Sequence, residues 1–79
     1  MESKAYILIE TAVGYTNAVA EQLRNIAAVE SVDTVTGPFD IIAVVAGEDL
    51  DSVGNMVTDK VHSISGISHT LTCLVLGGA

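Results

Sequence analysis

Hydrophobic and polar positions along this chain repeat with two different periods. Four stretches carry the alternation or the unbroken apolar run of a β-strand, and they cover residues 4–12, 29–36, 40–46 and 67–76. Two stretches between them carry helical spacing, one from Gly14 to about Ala27 and one from the acidic segment 47–52 to about Ser63. The pattern therefore predicts the element order β-α-β-β-α-β.

Each predicted helix has one apolar stripe, which marks the side that faces the core. The first stripe consists of Val19, Leu23, Ile26 and Ala27, and the second of Leu50, Val53, Val57, Val61 and Ile64. The acidic residues Glu48, Asp49 and Asp51 stand at the start of the second helix, where negative charge is favourable. We interpret them as capping residues, because the spacing of a calcium-binding loop is absent.

The element order is that of the split βαβ, or ferredoxin-like, sandwich, an α+β fold with a four-stranded antiparallel sheet and two helices on one face. Right-handed crossovers place the first and third strands at the centre of the sheet. Those two strands are apolar on both faces, whereas the second and fourth carry Ser, Thr, Asp and His residues. The hydropathy pattern and the topology therefore predict the same sheet.

One face of the predicted sheet has no cover within the chain. The two helices cover the other face, so that Ile42, Val44 and their neighbours on the first strand would meet water. A large exposed apolar patch marks an interaction surface. The simplest cover is the same face of a second copy, and we expect a two-fold homodimer that pairs as a dimeric α/β barrel.

Composition and charge narrow the range of functions. The chain has 79 residues, which we interpret as a single domain, 1–79, and its 3 basic and 10 acidic side chains give a net charge of −7. Nucleic acids are bound largely through Lys and Arg on phosphates, so we expect no direct nucleic-acid binding. The acidity is interpreted chiefly as a contribution to solubility.

Few residues offer the chemistry of a catalytic, metal or cofactor site. The single cysteine, Cys73, has no internal disulfide partner, which fits a reducing cytoplasm. Along an extended strand Cys73 lies about 13 Å from His69, too far for both to bind one metal ion. The sequence contains no nucleophile elbow, phosphate-binding glycine loop, membrane-length apolar run or signal-peptide pattern. We expect a cytoplasmic protein with no cofactor, metal, catalytic residue or membrane segment.

The turn TGPFD, residues 36–40, admits two interpretations. In one it is a well-made hairpin, in which Gly37 supplies a positive φ, Pro38 stiffens the backbone and Asp40 caps the turn. In the other, the Asp40 carboxylate binds the ammonium group of an amino acid and nearby backbone N–H groups bind its carboxylate. The residues alone leave both open.

Several segments of the chain resemble the effector-binding domain, or RAM domain, of the Lrp/AsnC (leucine-responsive/asparagine-responsive) transcriptional regulators. The segments are KAYILIE, VESVDTVTGPFDIIAVV with its T-G-x-aromatic-D turn, the acidic helix start EDLDS, and ISGISHTLTCLVL with its T-x-T ending. Together they extend over nearly the whole chain.

The resemblance implies a dimer that assembles further into a ring of dimers and binds small effectors, commonly amino acids, between dimers. Carried over by position, it implies ligand-binding roles for Thr36, Gly37, Phe39, Asp40, Thr70 and Thr72, and His69 occupies a position that is often basic or polar. The family's regulators also carry a helix-turn-helix domain that binds DNA. We expect this chain to lack one, because its first strand begins at about Lys4.

The leading hypothesis is therefore an oligomeric amino-acid sensing domain without its own DNA-binding domain. One alternative is an interaction module that binds no ligand and docks on a full-length regulator. Another is a small dimeric-barrel enzyme with His69 as its catalytic group. The enzyme requires a buried cavity inside one dimeric barrel that contains His69 or Tyr6, whereas the sensor requires a polar pocket between dimers.

Overall fold

The computed structural model describes residues 2–77 and contains the predicted elements in the predicted order. The strands are β1 (Ser3–Thr11), β2 (Val29–Thr34), β3 (Ile41–Gly47) and β4 (Ile67–Leu74). Helix α1 spans Thr16–Arg24, and α2 (Leu50–Met56) continues directly into a π-helical segment, Val57–Val61. The ferredoxin-like βαββαβ arrangement is confirmed.

The four strands form one antiparallel sheet in the order β2-β3-β1-β4. At the centre of the sheet Ile7 of β1 lies opposite Ala43 of β3 on one side and Thr72 of β4 on the other. The two strands that are apolar on both faces are therefore the central ones, as predicted. They need cover on both faces because apolar side chains project from both faces of each strand.

The core lies between one face of the sheet and the two helices. Its residues from the sheet are Ala5, Ile7, Ile9, Val32, Ile41, Ala43 and Val45, and those from the helical segments are Val19, Ala20, Leu23, Val53, Val57, Val61 and Ile64. Every second residue of β1 and β3 enters this core, which is the two-residue period of a strand.

The apolar stripes predicted for the helices need two corrections. Ala27 is exposed because α1 ends at Arg24, and Ala20 is buried in the core in its place. Leu50 is 52% exposed because it is the first residue of α2 and lies at the rim of the helix–sheet interface. The other stripe residues of the second helix are buried.

The second helix widens after Met56. The His62 backbone N–H donates to the Val57 carbonyl at 3.0 Å, a bond between residues five apart. Val57 and Val61 both stay buried through this π-helical segment. His62, the residue that follows this segment, lies beside β4 within hydrogen-bond distance of Thr70.

The second face of the sheet, called here the open face, is apolar along the central strands. It consists of Tyr6, Leu8, Ile42, Val44, Leu71 and Cys73. On β1 and β3 these residues alternate with core residues, and on β4 they alternate with Thr70, Thr72 and Leu74, which face the helices. Tyr6 and Leu71 are each 47% exposed. Neither helix packs on this face, since both contribute their buried residues to the core on the other side. No helix within residues 2–77 is long and apolar enough to cross a membrane.

Candidate functional site

The turn between β2 and β3 is tied to the end of β1 through Asp40. Its backbone N–H donates to the Ile9 carbonyl at 2.9 Å, and its carbonyl accepts from Val35 N–H at 2.9 Å. Its carboxylate oxygen Oδ2 accepts from the Thr11 backbone N–H at 2.9 Å and from the Thr11 hydroxyl at 3.3 Å. Asp40 therefore caps the last backbone N–H of β1 as well as closing the hairpin.

Thr11 extends this contact to the first helix. Its hydroxyl lies 2.6 Å from the hydroxyl of Thr16, the first residue of α1. Thr16 is also a candidate cap of α1 by its place in the sequence, but the N-cap residue is Tyr15 and no side chain caps the helix. Nothing in the local pattern links Thr16 to Thr11. The contact between Asp40 and Thr11 arises from the register of β3 against β1, which brings Asp40 beside the end of β1.

The other predicted residues of the turn surround a shallow cavity on the open face. The cavity is lined by Thr36, Gly37 and Phe39. Gly37 has a positive φ of +145°. The remaining lining residues are Leu8, Val35, Pro38 and Ile42, and the volume is about 450 Å³. Asp40 is not among the lining residues, because its carboxylate is directed to Thr11. This cavity is therefore predominantly apolar.

The predicted residues of β4 divide between the two faces of the sheet. Thr70 and Thr72 lie opposite Ile9 and Ile7 and share the face of the helices, whereas His69 lies opposite Glu10 on the other face. The Thr70 hydroxyl is 3.2 Å from Nε2 of His62, at the end of the π-helical segment. His62 is exposed, yet this contact links it to the strand.

The start of β4 contains an irregularity beside this contact. The register against β1 shifts between Glu10 and Thr11, which leaves Ser68 as the extra residue of a bulge. The Ser68 hydroxyl donates to the Glu10 carbonyl at 3.1 Å. A polar concavity of about 300 Å³ lies here, and its lining residues are His62, Ile67, Ser68, His69 and Thr70.

A second depression continues from His62 along the helix side of β4. This groove, called here the α2–β4 groove, has a volume of about 370 Å³. Its lining residues are Leu50, Val53, Gly54, Val57, Thr58, His62, Thr72 and Leu74. Thr72 therefore belongs to the groove, and His69 and Thr70 belong to the polar concavity next to it.

Within one chain the two groups of predicted residues do not meet. The turn lies beside β3 and the other group lies on β4, and β1 runs between these two strands. Two strand spacings of about 4.8 Å each separate them. A site that combines both groups requires a second chain, and that combination stays a prediction.

Of the three acidic residues predicted to cap the second helix, Asp49 is the N-cap and Asp51 lies in the first turn. Asp49 Oδ1 accepts from the Ser52 backbone N–H at 2.8 Å. This hydrogen bond, made to the charged form, holds the pKa of Asp49 below its usual value. Within residues 2–77 no three His, Cys, Asp or Glu side chains come together as a metal-binding group.

Two relatives illustrate the proteins in which similar sequences occur. An uncharacterized HTH-type transcriptional regulator from Pyrococcus horikoshii is 35% identical over 54 residues, which are 68% of this chain and 36% of the regulator. A homocitrate synthase from Sulfurisphaera tokodaii is 36% identical over 62 residues, which are 78% of this chain and 13% of the enzyme. The chain thus spans only a minor part of the length of either protein.

Solved structures share the fold over nearly the whole chain. A protein from Thermus thermophilus matches with a TM-score of 0.92 and 28% identity, covering 98% of this chain and 96% of its own. A transcriptional regulator from Neisseria meningitidis, solved as an L-Met complex, matches with a TM-score of 0.84 and 21% identity, covering 95% of this chain and 50% of its own. At this identity the second likeness concerns the fold alone.

The family assignment rests on the match along the chain. The model of the Lrp/AsnC ligand binding domain matches residues 4–78. Apart from Ser3, the first residue of β1, that range includes all the strands and helices described above, the Thr36–Asp40 turn and both depressions beside β4. The chain belongs to the Lrp/AsnC ligand-binding domain family.

Proposed function

We propose that this chain is an oligomeric sensing domain for a small amino-acid effector, related to the Lrp/AsnC transcriptional regulators. In this proposal it works in the cytoplasm and binds its effector without catalysing a reaction. The observation that carries the proposal is the open face of the sheet, an apolar surface on the central strands that the helices do not cover.

Two copies that pair through their open faces would bury this surface. Tyr6, Leu8 and Leu71 lie side by side across β1 and β4, and Ile42 and Val44 continue the patch on β3. Such a contiguous patch is larger than isolated exposed apolar residues and favours association. The closed arrangement with equal contacts on both copies is a two-fold dimer, and we propose that these dimers assemble further into a ring.

The proposed effector site lies between dimers and combines the turn of one chain with β4 of another. Both hydrogen bonds that the Asp40 side chain makes within residues 2–77 use Oδ2. A carboxylate accepts hydrogen bonds at both oxygens, so Oδ1 is suited to the ammonium group of an amino acid. In this arrangement Thr36, Gly37 and Phe39 would come from the same chain as Asp40, and His69, Thr70 and Thr72 from its neighbour.

Two further points support an amino-acid effector and a regulatory role. The Neisseria meningitidis regulator of the same fold was solved with L-Met bound. The match to the homocitrate synthase covers 13% of that enzyme, a small share for a segment that would carry catalysis.

The test is a thermal-shift screen of the natural amino acids, followed by calorimetric titration of the best one. A charge-assisted hydrogen bond contributes about 1.5–3 kcal/mol, so Asp40→Ala should weaken binding by about 10- to 150-fold. Asp40→Asn is the sharper variant, because its amide oxygen still caps Thr11 while its charge is lost. Asp59→Ala, which removes an exposed carboxylate on the π-helical segment, is the matched control and should bind normally.

The alternatives give different results in the same experiments. If Asp40 only caps the hairpin, Asp40→Ala lowers the melting temperature and leaves affinity unchanged. If wild-type protein binds no amino acid at millimolar concentration, the sensor hypothesis fails. The interaction module that docks on a full-length regulator then becomes the better explanation, and co-sedimentation with such a regulator would test it.

A further inference from the structure

Asp40 is held through both its main chain and its side chain. Its backbone N–H donates to the Ile9 carbonyl, and its carbonyl accepts from the Val35 N–H, each at 2.9 Å. Its carboxylate oxygen Oδ2 accepts from the Thr11 backbone N–H at 2.9 Å and from the Thr11 hydroxyl at 3.3 Å. The backbone and the carboxylate are thus fixed separately, and Thr11 supplies both contacts to the carboxylate.

The hydroxyl hydrogens of Thr11 and Thr16 have a single arrangement that satisfies these contacts. The ionised Asp40 carboxylate only accepts hydrogen bonds, so the Thr11 hydroxyl donates to it. A hydroxyl has one hydrogen to donate, so the contact of 2.6 Å between the two threonines requires Thr16 to donate to Thr11. The chain of donors therefore runs from Thr16 through Thr11 to Asp40.

The end of β1 makes Thr11 available for this role. The pairing of β1 with β3 ends at Ile9 and Ile41, and Thr11 lies beyond this last pair. Its N–H therefore donates to the Asp40 carboxylate rather than to a carbonyl of β3. Thr16 is also free for the contact, because no side chain caps the start of α1.

The Asp40 carboxylate has no cation beside it in the single chain. Within residues 2–77 its hydrogen bonds come from Thr11, and the salt bridge in that range joins Lys4 and Glu30 instead. Asp40 and both threonines are half-buried, where a hydrogen bond is stronger than in water. Since both contacts use Oδ2, Oδ1 is the oxygen that an incoming positive group would meet.

We propose that Thr11 is the positioning residue of the effector site and that Thr16 orients Thr11. This inference rests on the proposed sensing function and makes it more specific. The two donors of Thr11 fix Oδ2, so that Oδ1 is directed toward the ammonium group of the effector before binding. A carboxylate held in this way loses less side-chain freedom on binding, which raises the affinity. Thr11 acts through Asp40 and makes no contact with the effector itself.

Single substitutions separate the two hydroxyls from the rest of the structure. Thr11→Val replaces the hydroxyl by a methyl group and keeps the β-branched shape, the strand preference and the backbone N–H that binds Asp40. Thr11→Ser keeps the hydroxyl and loses the methyl group, and Thr16→Val removes the donor to Thr11. Thr34→Val is the matched control, the same exchange at the end of β2, where the hydroxyl takes no part in the Asp40 contacts.

The experiment is calorimetric titration of the full chain with the natural L-amino acids, each added separately. For an amino acid that binds wild type, Thr11→Val should lose about 3- to 10-fold in affinity, the effect of one lost hydrogen bond. Thr16→Val should lose less, whereas Thr11→Ser and Thr34→Val should bind like wild type. In an Asp40→Ala background Thr11→Val should change the affinity by less than about 2-fold, because no carboxylate is left to position.

Each result that contradicts the proposal has a separate meaning. If Thr11→Val binds like wild type, or if Thr11→Ser loses as much affinity as Thr11→Val, the Thr11 hydroxyl does not position Asp40, while amino-acid sensing itself survives. If Thr11→Val costs the same affinity with and without the Asp40 carboxylate, it acts through packing and the inference fails. If wild type binds no amino acid, the sensing function and this inference both fail.

Discussion

Leu71 on β4 offers a direct test of dimerisation through the open face. It lies opposite Leu8 on that face and is 47% exposed in the single chain. Threonine is a good strand former, so Leu71→Thr should preserve β4 while removing most of the apolar surface that a partner would cover. We expect the variant to stay folded and to dissociate at higher concentration than wild type.

The size of the effect follows from the exposed fraction. Burying a whole leucine side chain contributes about 1.5–3 kcal/mol, and about half of that surface is still exposed in the single chain. One copy thus loses about 0.7–1.5 kcal/mol of association free energy. A two-fold interface contains the change twice, so the dimer loses about 1.5–3 kcal/mol, and its Kd rises about 10- to 150-fold.

Leu74 provides the matched control for this experiment. It lies on the same strand with nearly the same exposure, 45%, but it faces the α2–β4 groove rather than the open face. Sedimentation equilibrium over a dilution series measures both variants. An unchanged dimer Kd for Leu71→Thr, an equal loss for Leu74→Thr, or a wild type that is a folded 8.2 kDa monomer throughout would refute the reasoning.

Three further predictions concern stability and nucleic acid. Gly66→Ala should lower the melting temperature more than Gly14→Ala, because both have positive φ but a Cβ at Gly66 would lie 2.7 Å from the Tyr15 ring; equal losses in thermal denaturation would contradict the contact. Asp49→Ala should destabilise the chain at neutral pH, and since the folded-state pKa of Asp49 is lowered, this difference from wild type should disappear as pH falls through that pKa; a pH-independent difference would argue against the charged cap. Purified protein, with its net charge of −7, should give no gel shift with duplex DNA at physiological salt, and a shift at micromolar concentration would contradict that expectation.

Local patterns carried enough information to predict the fold. The alternation in β1 and β3 and the helical spacing after Gly14 and Asp49 depend only on neighbouring residues, so the element order could be read from the chain. The central position of β1 and β3 followed because only those strands are apolar on both faces. The element ends were less accurate, as α1 ends at Arg24, three residues before the predicted boundary at Ala27.

The site was only partly predictable. The turn residues could be named from the sequence because TGPFD is a contiguous motif, and its alternative roles as a hairpin and a ligand site were both visible. Gly54, Thr58 and His62 are spaced four residues apart, which places them on one side of the second helix. That this side borders β4 and lines a groove with Thr72 and Leu74 is set by the packing of the helix on the sheet, which the local sequence does not indicate.

The sequence by itself therefore determined the order of the elements, the central strands and the existence of an apolar face without cover, because period and turn chemistry act over a few residues. Only the tertiary structure decided which polar groups meet. Asp40 reaches Thr11 across 29 residues, and His62 reaches Thr70 after a widened helix and beside a strand bulge. Those contacts depend on strand register and on small backbone irregularities, which are set by how the whole sheet packs against the helices.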